Sequence, residues 1–250
     1  MHILLVAGCF PVQHNIRPDQ LYYHALGALL AGQRGGPRPT FGLVRYEQFG
    51  NCLGKVVAAH AGQPAQVLVF HVRAEPVMRL AKLYYRYRDA RQRLRHSLTL
   101  PWQPLTNPEQ YDQPPRPRPG EPIPPEIPET RARRALRQLN LRLGAWVGNR
   151  RRALQAYETL VADVAAFCQD AGIRLLLLGP VSRPCAAEEN RLSQELDAHF
   201  AAFAARHGLA YLPTLGETAG AGEALFLPGG VYVSPAGHRR VAQLLYEALR

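Results

Sequence analysis

The sequence predicts an α/β protein of three layers, in which a doubly wound parallel sheet of about five strands lies between two layers of helices. Short hydrophobic runs bounded by turn residues alternate with helical patterns along most of the chain, and this alternation is typical of successive βαβ units. The chain has 250 residues, of which 47% are hydrophobic, so it is long enough to bury a sizeable core. We expect a single domain over 1–250 that carries an insertion at about 77–148.

Strands and helices are expected in alternation outside the insertion. The expected strands are His2–Ala7, Thr40–Tyr46, Gln66–Val72, Arg174–Leu178 and Ala210–Leu212. The expected helices are Pro18–Ala31, Asn51–Ala61, one that ends at Gly172, Ala187–His207 and a last one that begins after Ser234. Gly208 is suited to end the fourth of these helices. Ser234 can cap the last helix, and Pro235 fits its first turn.

The insertion between the third and fourth strands is too long for a simple crossover connection. Val77–Arg95 is expected to form a basic helix, and a second basic helix is expected to begin near Glu129. Between them, Pro101–Pro128 holds 11 of the 22 prolines, and we expect it to be extended or irregular because proline interrupts helices and strands. The insertion is expected to pack onto the domain, with a lid over the sheet or a partner-binding arm as alternatives.

The net charge of +11 is concentrated in the insertion. Residues 79–96 carry seven basic residues and one acidic residue, and residues 131–152 carry eight arginines and no acidic residue. Such basic segments usually form a solvated face, and the alternative is a surface that contacts phosphate, acidic polysaccharide or anionic lipid. Nucleic acid is not the expected partner, because no zinc-finger, helix-turn-helix or RNP motif is present.

The four cysteines predict neither a zinc site nor a disulfide framework. They are Cys9, Cys52, Cys168 and Cys185, and none forms a CxxC pair. Reduced thiols fit a cytoplasmic protein. Residues 5–9 resemble a lipoprotein cleavage site, but no Lys or Arg precedes the cysteine, so a first strand is the better interpretation. We expect no transmembrane segment, no metal and no organic cofactor.

Candidate binding residues follow the strands, because ligands of doubly wound sheets bind beyond the carboxyl ends of the strands. Arg73 and Glu75 follow the third strand. Arg73 is expected to bind a carboxylate or phosphate, and Glu75 to orient a histidine or bind substrate. The alternative is an ion pair between the two that anchors the insertion. Arg45 and Glu47, at the end of the second strand, are expected to line the same crevice, or else to pair with each other or face solvent.

The C-terminal stretch from Phe226 to His238 reads FLPGGVYVSPAGH and is followed by an apolar helical pattern. It resembles the last motif block of the SGNH, or GDSL-type, hydrolases, which usually reads Asp-Gly-x-His-Leu-x-x-x-Gly-His. The order of strands and helices is similar to that family as well. The resemblance covers the chain apart from the insertion. It implies the flavodoxin-like SGNH hydrolase fold and an ester hydrolase that needs no metal or cofactor.

Carried over to this sequence, the resemblance places unsuitable residues at the family's catalytic positions. The nucleophilic serine falls on Cys9, the acid on Gly229 and the general base on Tyr232. The Gly-Asp-Ser trio of the family becomes Ala7, Gly8 and Cys9, the oxyanion-hole glycine falls on Gly50 or Gly54, and the asparagine of the third block falls near Ala74. Ser234, Gly237 and His238 match the family, in which this last histidine belongs to the start of the helix and not to catalysis.

Cysteine can replace serine as a nucleophile, because its thiolate forms near neutral pH beside a histidine or an arginine. His14 and His71 are the candidate bases, and Arg73 is expected to stabilise an oxyanion. For Cys9 the alternative is a small buried hydrophobic residue, and for the two histidines it is a structural hydrogen bond. The remaining candidate substrate-binding residues are Gly8, Gly50, Asn51, Arg45, Tyr232 and Ser234.

The resemblance favours a hydrolase or transferase acting on an acyl ester or thioester, although the family's usual triad is absent. The alternative is a catalytically silent relative that binds an acylated carbohydrate, a lipid, another anion or an enzyme partner in the former cleft. A third class is an arginine-rich protein that binds nucleic acid or a membrane surface through the insertion. It ranks last, because few aromatic residues lie among the arginines.

Overall fold

The structure is a computed structural model. It describes residues 1–8, 10–13, 16–34, 38–46, 49–88, 91, 93–100, 102, 131–183, 187–219, 222–227, 230 and 232–250. The chain divides into two compact units. The sheet unit comprises Met1–Glu47, Asn51–Ala74 and Leu160–Arg250, and the hairpin unit comprises Gln48–Gly50 and Glu75–Thr159. The single domain over 1–250 expected from the sequence stays a prediction.

Strands and α-helices alternate through most of the described chain. The strands are β1 (His2–Ala7), β2 (Thr40–Arg45), β3 (Val67–His71), β4 (Tyr84–Arg88), β5 (Leu94–Leu98), β6 (Arg174–Leu178) and β7 (Ala210–Leu212). The helices are α1 (Tyr22–Arg34), α2 (Cys52–Gly62), α3 (Ala74–Leu80), α4 (Arg131–Trp146), α5 (Asn149–Asp170), α6 (Ala187–His207), α7 (Leu215–Ala219) and α8 (Pro235–Leu249). Short 3-10 helices lie at Phe10–Val12, Pro18–Gln20 and Gly222–Leu225.

The sheet unit contains a parallel sheet in the order β2-β1-β3-β6-β7. From β1 the chain moves outward to β2 and then returns to β3, on the other side of β1. The direction of winding therefore reverses between β1 and β3. Ligands of such sheets bind at this reversal, beyond the carboxyl ends of the strands.

Both faces of the central strands β1, β3 and β6 are buried. On one face, alternate residues of three strands form a single apolar cluster with α1 and α8; its strand members are Ile3, Leu5, Val67, Val69, Leu176 and Leu178, and its helix members include Leu26, Leu30, Val241 and Leu245. The intervening residues Leu4, Val6, Leu68, Phe70 and Leu177 are buried as well. Because successive strand side chains point to opposite faces, helices must cover both sides of the sheet. This is the three-layer α/β arrangement that the sequence predicted.

The predicted strands of the sheet are confirmed to within one residue at each end. The helix expected over Pro18–Ala31 is instead a 3-10 turn followed by α1, because Leu21 between them has an extended backbone with φ −68° and ψ 144°. α6 spans the predicted residues, and Gly208 follows it with a φ of +63°, which is the left-handed backbone that suits glycine at a helix end.

The prediction of a helix over Val77–Arg95 is wrong. α3 ends at Leu80, and β4 pairs with β5 as an antiparallel hairpin. Asn140 of α4 accepts the amide hydrogens of Leu83 and Tyr84 at 3.0 and 2.9 Å and donates to the Tyr84 carbonyl at 2.9 Å. These bonds hold the start of β4 in an extended form, and the alternating tyrosines of β4 favour a strand.

The second basic helix, expected to begin near Glu129, is present as α4, whose first residue is Arg131. α4 packs closely on the segment that leads into β4. A Cβ added at Gly144 would lie 1.8 Å from the Ala81 carbonyl oxygen, so only glycine fits at this crossing. Pro101–Pro128 lies outside the described residues, apart from Trp102.

Gly144→Ala is expected to destabilise the hairpin unit by about 1–3 kcal/mol or more, because the added methyl group meets backbone atoms that cannot rotate away. Gly32→Ala is the matched control, since a Cβ at this helical glycine of α1 meets nothing within 4 Å. That change should stabilise by about 0.5–1 kcal/mol. Urea unfolding followed by circular dichroism measures both. Equal effects of the two changes would contradict the crossing described above.

Ser234→Ala is expected to lower the free energy of unfolding by about 1 kcal/mol, because Ser234 Oγ accepts the Gly237 amide at 3.2 Å and caps α8. Ser234→Thr keeps the hydroxyl group and should retain most of the stability. Thermal unfolding of the two variants beside the wild type measures this difference. A loss in the threonine variant as large as in the alanine variant would show that the cap is not the cause.

Candidate functional site

The candidate site lies at the carboxyl ends of β1, β2 and β3 in the sheet unit. Gly8 follows β1, Tyr46 follows β2 and His71 ends β3. The backbone keeps the strand pairing at these ends, since the Tyr46 amide donates to the Ala7 carbonyl at 3.1 Å and the Val72 amide donates to the Leu178 carbonyl at 2.8 Å. The site therefore lies where the paired strands of the sheet end.

Arg73 carries a buried positive charge between Tyr46 and Gly8. Its guanidinium carbon lies 4.7 Å from the centroid of the Tyr46 ring, which is a cation–π contact. A Cβ at Gly8 would lie 1.1 Å from Arg73 Nη1, so glycine leaves the space that the guanidinium fills. The Tyr46 hydroxyl donates to the His71 carbonyl at 2.7 Å and fixes the ring. The cation is therefore held in one place beside the loop that follows β1.

His71 is a buried, neutral imidazole. Within the described residues neither ring nitrogen has a hydrogen-bond partner. Burial, with the positive charges of Arg73 and Arg183, lowers the pKa of His71 to about 3. The Gly179 backbone opposes this pKa shift without meeting the geometry of a hydrogen bond. His71 is thus a weak base whose two nitrogens are buried without a hydrogen-bond partner among the described residues.

His238 has a structural role at the start of α8. The Tyr22 amide donates to His238 Nδ1 at 3.2 Å, so the proton is on Nε2, which lies 3.4 Å from Gln13 Oε1. Gln13 in turn donates to the Val233 carbonyl at 2.7 Å. Burial lowers the pKa of His238 to about 4, so the ring stays neutral and these hydrogen bonds tie α1 to α8.

Phe10 connects the two buried histidines. Its ring stacks on His238 with centroids 4.7 Å apart and lies 5.5 Å from the centroid of His71. It also stacks on Tyr22 at 4.9 Å. One wall of the candidate site is therefore a packed aromatic cluster, which contributes to the burial of His71.

Ser234 and Tyr232, two predicted substrate-binding residues of the C-terminal stretch, both make hydrogen bonds to the backbone. The Ser234 hydroxyl caps the helix and donates to the Ala224 carbonyl at 3.2 Å. It therefore both accepts a hydrogen bond from the backbone and donates one to it. Tyr232 is half-buried, and its carbonyl accepts from the Leu227 amide at 2.8 Å. Their roles in substrate binding stay predictions.

The other predicted site residues are spread over both units. Arg45 is half-buried, and Asn51 is exposed at the start of α2. Gly50 and Glu75 belong to the hairpin unit. Glu75 forms an ion pair with Arg79 one turn later in α3. Cys9, His14, Glu47 and Gly229 lie outside the described residues.

Two groups that shape the site were not predicted from the sequence. Tyr46 carries the cation–π contact, and its position directly after a predicted strand was the available signal. Thr214 Oγ1 bonds to the carbonyls of Gly179 and Pro180 at 2.8 and 2.9 Å, which fixes the loop after β6 beside His71. No sequence signal distinguishes this threonine from a surface one.

In the part of the chain that the structure describes, no group of three or more His, Cys, Asp or Glu side chains is placed to hold a metal ion. Across the same residues, the helices are too short or too polar to cross a bilayer.

Comparison with protein-family models and with curated proteins finds no match. Solved structures do match. TesA has a TM-score of 0.60 at 13% identity, over 100% of this chain and 98% of that chain. Axe2, an acetylxylan esterase from Geobacillus stearothermophilus, has a TM-score of 0.59 at 11% identity, over 98% of this chain and 92% of its own. A protein assigned as an SGNH hydrolase from Slackia heliotrinireducens has a TM-score of 0.54 at 14% identity, over 100% and 99%.

At such identities the likeness concerns the fold alone, and it extends over at least 92% of each chain. The chain therefore has the α/β fold of the SGNH, or GDSL-type, hydrolases.

Proposed function

We propose that the chain hydrolyses or transfers the acyl group of an ester or thioester, with Cys9 as the nucleophile and Arg73 as the cation that stabilises its thiolate. The observation that carries this proposal is the position of Arg73 Nη1, which lies against Gly8. Cys9 follows Gly8 directly in the chain, and consecutive Cα atoms are only about 3.8 Å apart.

A cysteine changes what the site needs. A serine hydroxyl requires a general base to become a nucleophile, but a thiol has an ordinary pKa near 8.5 and an adjacent cation lowers it. Arginine keeps its charge at all relevant pH values. The replacement of the usual base by Tyr232 therefore blocks activation of a serine, whereas a thiolate at Cys9 can form by losing its proton to water.

His71 does not serve as the proton acceptor in this proposal. Its pKa of about 3 makes it a far weaker base than a thiolate. We assign the general-base role to His14, five residues after Cys9, which would activate the water that cleaves the acyl-enzyme. His71 and Arg73 are left to bind the carbonyl oxygen as negative charge develops on it.

The chemistry favours substrates with a good leaving group. The thiolate attacks the acyl carbon, a carbon–sulfur bond forms, and the bond to the leaving group breaks with its electron pair. A leaving thiolate is stable near neutral pH, whereas a leaving alkoxide must be protonated as it departs. Thioesters and activated esters should therefore react faster than alkyl esters. Acetylxylan esterase activity in Axe2 supports acyl chemistry on this fold, although fold and function are separable.

Cys9 should react with iodoacetamide at neutral pH, and the pH midpoint of its alkylation should lie below about 8.5. Arg73→Leu should raise that midpoint by about one unit or more, which slows alkylation at pH 7 about tenfold, because the stabilising charge is lost. Arg73→Lys keeps the charge and should shift the midpoint less. Mass spectrometry of each cysteine measures the rates.

Cys52 and Cys168 are internal controls, because burial raises the pKa of each thiol to about 12 and both should stay unmodified. In parallel, Cys9→Ala should abolish turnover of p-nitrophenyl acetate and of acyl thioesters. An unreactive Cys9 together with equal turnover in wild type and Cys9→Ala would reject the proposal.

A second candidate function is the binding of an anionic ligand without turnover. The specific observation in its favour is His71, a buried side chain whose two nitrogens have no hydrogen-bond partner in the described residues. The positive charges of Arg73 and Arg183 contribute to the low pKa of His71. Arg183 is half-buried, and its Nη1 lies 3.5 Å from Glu189 Oε1. A carboxylate or phosphate could accept from these groups, and neither Gly229 nor Tyr232 supplies the family's acid and base.

If this second function is correct, inorganic phosphate or acetate should raise the melting temperature of the wild type by a few degrees, through preferential binding to the folded state. Arg73→Leu should lose that response. Arg240→Leu is the control, because Arg240 is exposed and pairs with Glu217 on the surface, and it should keep the response. Equal responses in all three proteins would mean that the anion acts elsewhere.

A further inference from the structure

We propose that the hairpin unit binds the surface of an anionic lipid bilayer through one exposed face of α4. This apolar face consists of Leu136, Leu139, Leu143 and Trp146. The proposal is independent of the acyl chemistry, because every residue that carries it belongs to the hairpin unit.

The four side chains of the apolar face follow one another at spacings of three, four and three residues. Since each residue turns an α-helix by about 100°, this spacing places them on one side of α4. Their exposed fractions are 66%, 53%, 40% and 84%. A helix of a water-soluble unit normally buries such a stripe.

The side of α4 next to the apolar face already makes the contacts that hold the helix. Gly144 lies against the Ala81 carbonyl, and Asn140 makes its hydrogen bonds to the start of β4. These contacts do not involve the apolar face, and among the described residues its four side chains remain exposed.

Tryptophan usage points to a membrane interface. The chain has two tryptophans, Trp102 and Trp146, and both belong to the hairpin unit. Their exposed fractions are 79% and 84%. Tryptophan is enriched where a bilayer meets water, because its ring is apolar and its N–H needs a polar partner.

The positive charge around the apolar face favours an anionic lipid surface over a second copy of the chain. The segment 131–152 carries eight arginines and no acidic residue, and Arg142 and Arg151 are exposed. Anionic headgroups attract such a segment, whereas a second copy of the chain would bring the same positive charges against it. Leucine and tryptophan on one side with arginine around them are typical of helices that lie in the plane of a membrane surface.

The test uses the full-length protein and two kinds of vesicle, one of phosphatidylcholine alone and one with a third of phosphatidylglycerol. Only the anionic vesicles should co-sediment with the protein and shift its tryptophan emission to shorter wavelength. Raising the salt concentration to about 0.5 M should weaken binding at least tenfold, because the charges are screened.

Leu139→Asp should weaken vesicle binding at least tenfold, because it places a negative charge in the apolar face. Val57→Asp is the matched control, since Val57 is an exposed helical residue of the sheet unit at 41% exposure, and it should bind like the wild type. Trp146→Ser provides a second test at another exposed position. Leu139→Asp and Trp146→Ser should both keep the wild-type circular dichroism spectrum.

Three results would overturn the proposal. The first is no binding to anionic vesicles, and the second is equal binding to both vesicle types. The third is a concentration-dependent dimer that Leu139→Asp dissociates, which would show that a second copy covers the apolar face. Turnover of a soluble thioester should be unchanged in Leu139→Asp, so that loss of vesicle binding is separate from any failure of the acyl chemistry.

Discussion

Burial of both faces of the parallel sheet is the constraint on which the sheet unit depends. The hydrophobic side chains of β1, β3 and β6 point alternately into two apolar layers and are buried. A polar group on a central strand can therefore meet a ligand only where the strand ends. For this reason His71 and Arg73, which lie at the end of β3 next to the apolar core, belong to the candidate site.

The same burial determines the chemistry of that edge. A guanidinium in a poorly hydrated place needs partners, and Arg73 is held by the Tyr46 ring and by the space that Gly8 leaves. Burial, together with this charge, lowers the pKa of His71 and keeps the ring neutral. A site of this kind is better matched to a thiolate, an oxyanion or a bound anion than to a triad that passes protons between side chains.

The hairpin unit follows a different rule, since its helix α4 is apolar on one exposed side and hydrogen-bonded on the side next to it. Asn140 shows how a single polar side chain can direct a fold, because its amide occupies the backbone groups that would otherwise continue a helix after α3. The positive charge of the whole chain resides mainly in this unit. The two units thus separate the proposed acyl chemistry from the proposed contact with lipid.

The sequence by itself determined the strands of the sheet, the capped last helix and the fold class, because periodicity, Ser234 with Pro235, and Gly208 act over a few neighbouring residues. It also indicated His71 and Arg73, since a parallel strand that ends in charge marks the binding edge. Only the tertiary structure decided that residues 84–98 form a hairpin and that Tyr46 holds Arg73, because Asn140 and Tyr46 are distant in sequence from the groups they fix. Local patterns record propensity and period, whereas such long-range contacts depend on how the elements meet in space.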